Sequence, residues 1–339
     1  MMPTINTAAI MTSLGHIELE ERAVPEPRAG HVVVKVHTVT ICGSDIHYFE
    51  YGRIADFIVD GPIVLGHETS GTIVAAGPGV DSCRVGKRVA IEPGVSCRIC
   101  KHCLDGRYNL CPDIVFHATP PYDGSLQNYF EIPDYLAHQI PDDLSFERAA
   151  LIEPLAVAVQ ACRTAGSLAG KRVLVAGAGA IGLLSAQVAS LYGAADVLIT
   201  DIDGGRIKVA ETEFGVSAAL PGDFEGPFDC FIECSGSNVA LIEGIKKLSA
   251  GSNAIILGMG QDQLNEIPLG WMLVNEISLL TSFRYANAYP TAISFAKNPD
   301  LELDKLIGQT FALDNANQAF KSTILNKKIL RTAIRVTTD

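Results

Sequence analysis

Arg172-Val173-Leu174-Val175-Ala176 runs directly into Gly177-Ala178-Gly179-Ala180-Ile181-Gly182, and an apolar stretch continues from Ile181 to Tyr192. The order is a buried strand, a glycine turn and a helix. In that setting the first Gly makes the tight turn, the second admits backbone against a pyrophosphate, and the third lets helix pack on strand. Free N–H groups at the start of the helix then face the phosphates. Such glycines also occur at strand-to-helix turns without a ligand, so a second signal is needed. The next strand, Asp196 to Thr200, supplies it by delivering Asp201 about 20 residues past the last glycine, where a carboxylate accepts hydrogen bonds from an adenosine ribose. A dinucleotide site of Gly177, Gly179, Ile181, Gly182 and Asp201 is predicted. Asp201 repels a 2′-phosphate, which favours NAD over NADP, and Arg206 is the residue that could soften the preference.

Outward from this unit, strand and helix alternate from Pro154 on: Gly205 to Phe214 reads as a helix, and Asp229 to Glu233, Ala254 to Leu257 and Ile277 to Ser282 read as strands. That alternation predicts a parallel sheet covered by helices. One link departs from it. Between a weak strand near Ser217 to Leu220 and the strand at Asp229 there are too few residues for the dozen or more of a usual parallel crossover, so no helix is expected there. From Thr4 to about Ile140 the texture is different. Short β-type runs are separated by Pro and Gly, as in His31 to Ile41, where Val32, Val34 and Val36 alternate against Val33, Lys35 and His37.

A length of 339 residues suits two domains. Apolar residues make up 48% of the chain, but no uninterrupted run approaches the roughly 18 needed to span a bilayer, so a soluble protein without a membrane partner is expected. A net charge of -12 disfavours a nucleic-acid partner, which needs clustered Lys and Arg. Met1 to Asn6 opens without a positive or long apolar export segment. The nine cysteines, an odd number, then fit a reducing cytoplasm better than a complete disulfide framework.

Four of those cysteines stand at Cys97-x2-Cys100-x2-Cys103-x7-Cys111. Four thiolates at these spacings can close a tetrahedron around one Zn²⁺ with no open position, the pattern of a structural zinc lobe. Disulfides, buried thiols and an iron-sulfur cluster are the alternatives. A second set is scattered: Cys42 in Cys42-Gly43-Ser44-Asp45-Ile46-His47, and His67-Glu68 in Gly66-His67-Glu68-Thr69-Ser70-Gly71. Thiolate, imidazole and carboxylate from separate segments can hold one Zn²⁺ and leave a position for substrate. Each residue alone reads as ordinary packing, and only the combination is informative.

With these motifs in this order and spacing, the sequence resembles the zinc-containing medium-chain alcohol dehydrogenases over nearly its whole length. Narrower phrases resemble the sorbitol and xylitol dehydrogenase branch: Tyr48 to Arg53, Ile91 to Gly94, Gly106 to Cys111, Phe116 to Pro121, Glu153-Pro154-Leu155 and Phe283-Arg284-Tyr285. The resemblance implies an α/β protein. A mostly β, GroES-like catalytic domain, 1–153 and 284–339, would accompany a doubly wound parallel-sheet Rossmann domain, 154–283. It implies two Zn²⁺ per chain, NAD, a polyol substrate and a homotetramer. Carried over by position, it makes Cys42, His67 and Glu68 catalytic zinc ligands, with Glu153 a further ligand or the holder of the zinc-bound water. Ordinary alcohol dehydrogenases have Cys where Glu153 stands, and a carboxylate makes the site harder and better suited to a chelating polyol. A domain-boundary salt bridge is the other reading of Glu153. Tyr51, Phe116, Arg284 and Tyr285 would line the polyol pocket, and Ser44 and His47 would begin the proton's route out. Arg284 could equally clamp a phosphate or sit at a subunit interface. The alternatives for the whole chain are a zinc threonine or amino-alcohol dehydrogenase and a catalytically silent nucleotide-binding structural protein.

Overall fold

The computed structural model describes residues 3–260 and 266–337. They form two compact units, Met1–Glu153 with Tyr289–Asp339, and Pro154–Ala288.

The first unit is mostly β. Its main sheet is ordered Ala137–Gln139, Arg88–Ile91, Glu68–Ala76, His31–Thr40, Arg331–Arg335, Ile307–Ala312. His31–Thr40 is the hub. Glu68–Ala76 runs antiparallel along one edge of it, while Tyr129–Pro133 pairs with its first half and Arg331–Arg335 with its last residues on the other edge. Both faces of the hub are covered, so Val33 is as buried as Val32 and Val34, and the expected in-and-out alternation holds only for Lys35 and His37. The middle strand runs opposite to its two neighbours, so its C-terminal end meets their N-terminal ends. That places Thr40 and Cys42, Glu68, and Arg331 together at one end of these three central strands.

The second unit is a six-stranded parallel sheet among the described residues. Its strands are β1 (Arg172–Ala176), β2 (Asp196–Thr200), β3 (Ser217–Ala219), β4 (Phe228–Glu233), β5 (Leu248–Ile256) and β6 (Ser278–Thr281). Their spatial order is β3-β2-β1-β4-β5-β6, with every neighbour parallel. Helices α1 (Ala180–Leu191), α2 (Gly204–Phe214) and α3 (Asn238–Lys246) follow β1, β2 and β4. The winding reverses between β1 and β4, and in such sheets the ligand crevice lies beyond the carboxyl ends of the strands at that reversal.

The short link is built as a strap. From β3 to β4 the chain crosses three strand positions, about 14 Å at about 4.8 Å each, and must also return along the height of the sheet. Residues 220–227 can reach at most about 28 Å when extended, whereas a helix of that length rises only about 12 Å. The strap carries no helix, and Phe224 anchors it: its ring meets Phe228 at 6.0 Å, and its carbonyl accepts from Lys247 Nζ at 3.2 Å.

The chain returns to the first unit at Tyr289 rather than at Arg284. Tyr289 is buried, its hydroxyl donates to the Ile91 carbonyl at 2.6 Å and its ring stacks on His138 at 4.8 Å. By contrast, Ala286 N donates to Gln160 Oε1 and Arg163 donates to the Asn287 carbonyl, which ties 284–288 to the second unit. Among the described residues, no helix is long and apolar enough to cross a membrane.

Candidate active site

The cysteine quartet is assembled. All four sulfurs lie within 4.8 Å of one another, with Cys97–Cys103 at 3.9 Å and Cys100–Cys103 at 3.5 Å. Four sulfurs about 2.3 Å from one zinc would stand about 3.8 Å apart, so the donor set fits the ion. Backbone N–H groups already point at the sulfurs, from Cys97 to Cys111 at 3.4 Å and from Cys100 to Cys97 at 3.3 Å. The N–H groups of Ile99 and Cys100 bring the Cys97 thiol down to about 7, while burial pushes Cys111 up to about 12. Tyr108, inside the lobe, donates to Glu92 Oε1 at 2.7 Å and so fastens the lobe to the sheet. None of the cysteines is in a disulfide.

The second cluster joins Cys42, His67 and Glu68, whose donor atoms also lie within 4.8 Å. Cys42 is the N-cap of the helix Gly43–Tyr51, and His67-Glu68 opens the neighbouring strand. Asp45, fully buried in the first turn of that helix, ties the pieces together. It accepts from Cys42 N and Gly66 N, each at 3.0 Å, and lies 3.4 Å from His67 Nδ1. Burial works against a charged His67, but Asp45 and Cys42 outweigh it and raise the imidazole well above its usual range. On the far side, Arg331 Nη2 meets Glu68 Oε1 at 3.2 Å, and Thr40 donates its hydroxyl to Glu68 Oε2. Burial opposes the Arg331 charge, which Glu68, Cys42 and Glu153 together sustain. Apart from these ion-pair contacts with Asp45 and Arg331, His67 Nδ1 and Glu68 Oε1 are buried without a well-formed hydrogen bond. Buried polar atoms rarely go unsatisfied, so this mixed soft and hard donor set fits a divalent zinc.

Glu153, 5% exposed, begins the helix Ile152–Thr164 and belongs to the same charge group around Arg331, though it is not one of the three donors within 4.8 Å. Phe116 is buried with its ring edge-on to His67 at 5.8 Å. Ser44 and His47 lie on the helix that Cys42 caps, Ser44 partly buried and His47 exposed. Tyr51, 61% exposed, packs on His47 with ring centroids 5.4 Å apart. Arg284 and Tyr285 lie in the second unit. Arg284 has φ 51 and rests over the Phe283 ring at 4.8 Å, while Tyr285 is buried.

Sequence reasoning gave no role to Asp45 or Arg331. Asp45 did carry a signal, being an acid at the third position after a helix N-cap, where it reaches back to the cap N–H. Arg331 carried none, because only the antiparallel register of three strands brings it to Glu68.

A tight glycine turn joins β1 to α1. Gly177 has φ 97, and a Cβ on Gly182 would stand 1.8 Å from the Gly177 carbonyl oxygen. Gly179 is the N-cap of α1, with Ile181 in its first turn. Asp201 lies at the end of β2, where Oδ2 accepts from Ala178 N at 2.8 Å and Oδ1 from Asp203 N at 2.9 Å. Arg206 Nη1 stands 3.7 Å from Asp201. The carboxylate therefore holds the glycine turn and keeps spare acceptor capacity.

Residues 28–142 match the alcohol dehydrogenase GroES-like domain, and residues 180–298 match the zinc-binding dehydrogenase domain. A sorbitol dehydrogenase of Macaca fascicularis is 40% identical over 331 residues, covering 94% of this chain and 92% of its own. The L-idonate 5-dehydrogenase of Escherichia coli has a similar structure, with TM-score 0.91 at 25% identity over 98% of each chain. A short chain alcohol dehydrogenase from Escherichia coli CFT073, complexed with cofactor NADH, gives TM-score 0.91 at 27% identity over 98% of this chain and 100% of its own.

Proposed function

We infer the reaction from one premise: the chain belongs to the zinc-containing medium-chain dehydrogenases, the family of the sorbitol dehydrogenases. It oxidises a secondary hydroxyl of a polyol to a ketose, transferring hydride to NAD. Bound zinc supplies a Lewis acid for the reacting oxygen, and NAD supplies the hydride acceptor.

Cys42, His67 and Glu68 hold the catalytic zinc, and Asp45 orients His67. Glu153, a carboxylate in that charge group but outside the three clustered donors, holds the zinc-bound water. Ser44 and His47 carry the proton outward; they are one turn apart on a helix, the first partly buried and the second exposed, which gives a short path from site to water. Tyr51, Phe116, Arg284 and Tyr285 bind the polyol's other hydroxyls. Gly177, Gly179, Ile181, Gly182, Asp201 and Arg206 bind NAD, and Asp201 disfavours NADP. Cys97, Cys100, Cys103 and Cys111 hold a structural zinc. A mostly β catalytic domain, the first unit, thus works with a nucleotide domain, the second. A homotetramer is implied by resemblance to the sorbitol branch, and a cytoplasmic location is supported by the odd number of cysteines, which does not suit a complete disulfide framework.

The observation that carries this reading is the mixed thiol, imidazole and carboxylate cluster, distinct from the all-thiol quartet. NADH absorbance measured with sorbitol, xylitol, ribitol and galactitol, and with threonine as the competitor, tests it. Turnover of polyols with NAD and little with NADP is expected; turnover of threonine alone would move the chain to the amino-alcohol dehydrogenases.

A further inference from the structure

Glu233, at the carboxyl end of β4, is a buried carboxylate that none of the roles above uses; it is 2% exposed. Its partners all lie on the turn that leads out of β4. Oε1 accepts from Ser235 N at 2.7 Å and from the Ser235 hydroxyl, and Oε2 accepts from Gly236 N at 3.1 Å. The Ser235 hydroxyl in turn accepts from Ser237 N at 3.1 Å, and Ser237 caps α3 through Ala240 N. One carboxylate thus fixes the whole turn from β4 into α3.

That turn is wedged between two others. A Cβ on Gly177 of the dinucleotide turn would come within 3.0 Å of Ser235 backbone. On the opposite side, the segment after β5 abuts it: a Cβ on Gly258 would stand 2.4 Å from Gly236 N and 2.7 Å from Glu233 Oε2, and one on Gly260 would stand 2.2 Å from the Gly236 carbonyl oxygen. The Glu233 carbonyl also accepts from Leu257 N and Gly258 N, each at 2.9 Å. With the ribose carboxylate on β2, the adenosine half of a dinucleotide occupies the β2 side of the reversal. The other mononucleotide half must cross to the side of β4 and β5, where these turns form the wall.

We propose that Glu233 is a positioning residue for the nicotinamide half of the cofactor, holding the β4 turn against Gly177 and Gly258 so that the wall of that half-site is preformed. The inference rests on the dinucleotide reading above and deepens it. A carboxylate is required because only an acceptor with two oxygens and no N–H can take all three donors of the turn.

Calorimetric titration of the zinc-loaded enzyme with NADH and with AMP tests it, AMP probing the adenosine half alone. In Glu233→Gln the dissociation constant for NADH should rise about tenfold, the scale of one lost charge-assisted hydrogen bond, while that for AMP stays at the wild-type value. Ser235→Ala, which removes one donor and leaves the carboxylate, should shift NADH in the same direction by less, and it carries the test if the first variant does not fold. Equal weakening of NADH and AMP, or unchanged NADH affinity in a folded variant, would overturn the proposal. Wild-type enzyme that binds AMP but not NADH would sink the dehydrogenase reading instead, and this inference with it.

Discussion

Around the Cys42 cluster, three acids and a thiol surround one arginine and one histidine. Arg331 is the group whose loss is easiest to foresee. With Arg331→Met, Glu68 would keep only the Thr40 hydroxyl as partner on that side, and breaking one side of a buried ion pair costs on the order of 3–5 kcal/mol. A clearly lowered urea midpoint is expected, and an unchanged one would mean that the Glu68 charge is compensated elsewhere. Glu153→Gln separates the readings of that residue, since it removes charge and nearly preserves shape. Turnover should fall about 10- to 100-fold, the scale of losing an outer partner of a metal site, with melting temperature and NADH affinity nearly unchanged. Wild-type turnover with a lowered melting temperature would assign Glu153 to the domain boundary. At this scale the sequence was readable where a residue type is chemically narrow, as with Cys42 and His67-Glu68. It was silent at Arg331, because a single arginine in a β run says nothing about which strand end it will meet.

Elements impose a different kind of constraint, set by the backbone's own dimensions. Strand and helix periodicity together with the glycine turn carried the parallel sheet, and the strap across residues 220–227 was legible as a shortage of residues. What it would look like was not, since that depends on Phe224 finding Phe228 and Lys247 across the sheet. The return at Tyr289 was equally hidden, because the choice between Arg284 and Tyr289 is made by a hydroxyl reaching Ile91 far away in sequence. The dinucleotide turn is the element most sensitive to one added carbon. In Gly182→Ala the Cβ would collide with the Gly177 carbonyl oxygen at 1.8 Å, so the turn must open. NADH binding, monitored by the enhancement of its fluorescence, should then weaken at least about 100-fold, given that misplacements of about 1 Å have effects of that size. Zinc content should match the wild type, as both metal clusters lie in the first unit. Retained NADH affinity would show that the turn can relax without harm.

Across the whole molecule, the two metal clusters differ in ways that predict the order in which the protein loses function and form. The quartet brings together four sulfurs in a lobe fastened to the sheet, so a zinc held there would contribute to folding, whereas the Cys42 cluster brings only three donors together and would leave a coordination position through which a chelator can bind the ion. Metal analysis should find two zinc ions per chain. Titration with 1,10-phenanthroline should remove the first together with activity while the far-ultraviolet circular dichroism holds, and the second should leave only as ellipticity falls. Acid should act on the quartet with a definite sign. Zinc binding requires deprotonated sulfur, and in the metal-free lobe Cys111 is pushed up to about 12 while Cys97 sits near 7. Protons therefore compete for the site, and affinity for the structural zinc must fall as pH is lowered. Measured by competition with a chromogenic chelator, the second zinc should be held more weakly at pH 6 than at pH 8. A single zinc per chain, simultaneous loss of both ions, or a release curve indifferent to pH would each contradict this division of labour between the clusters.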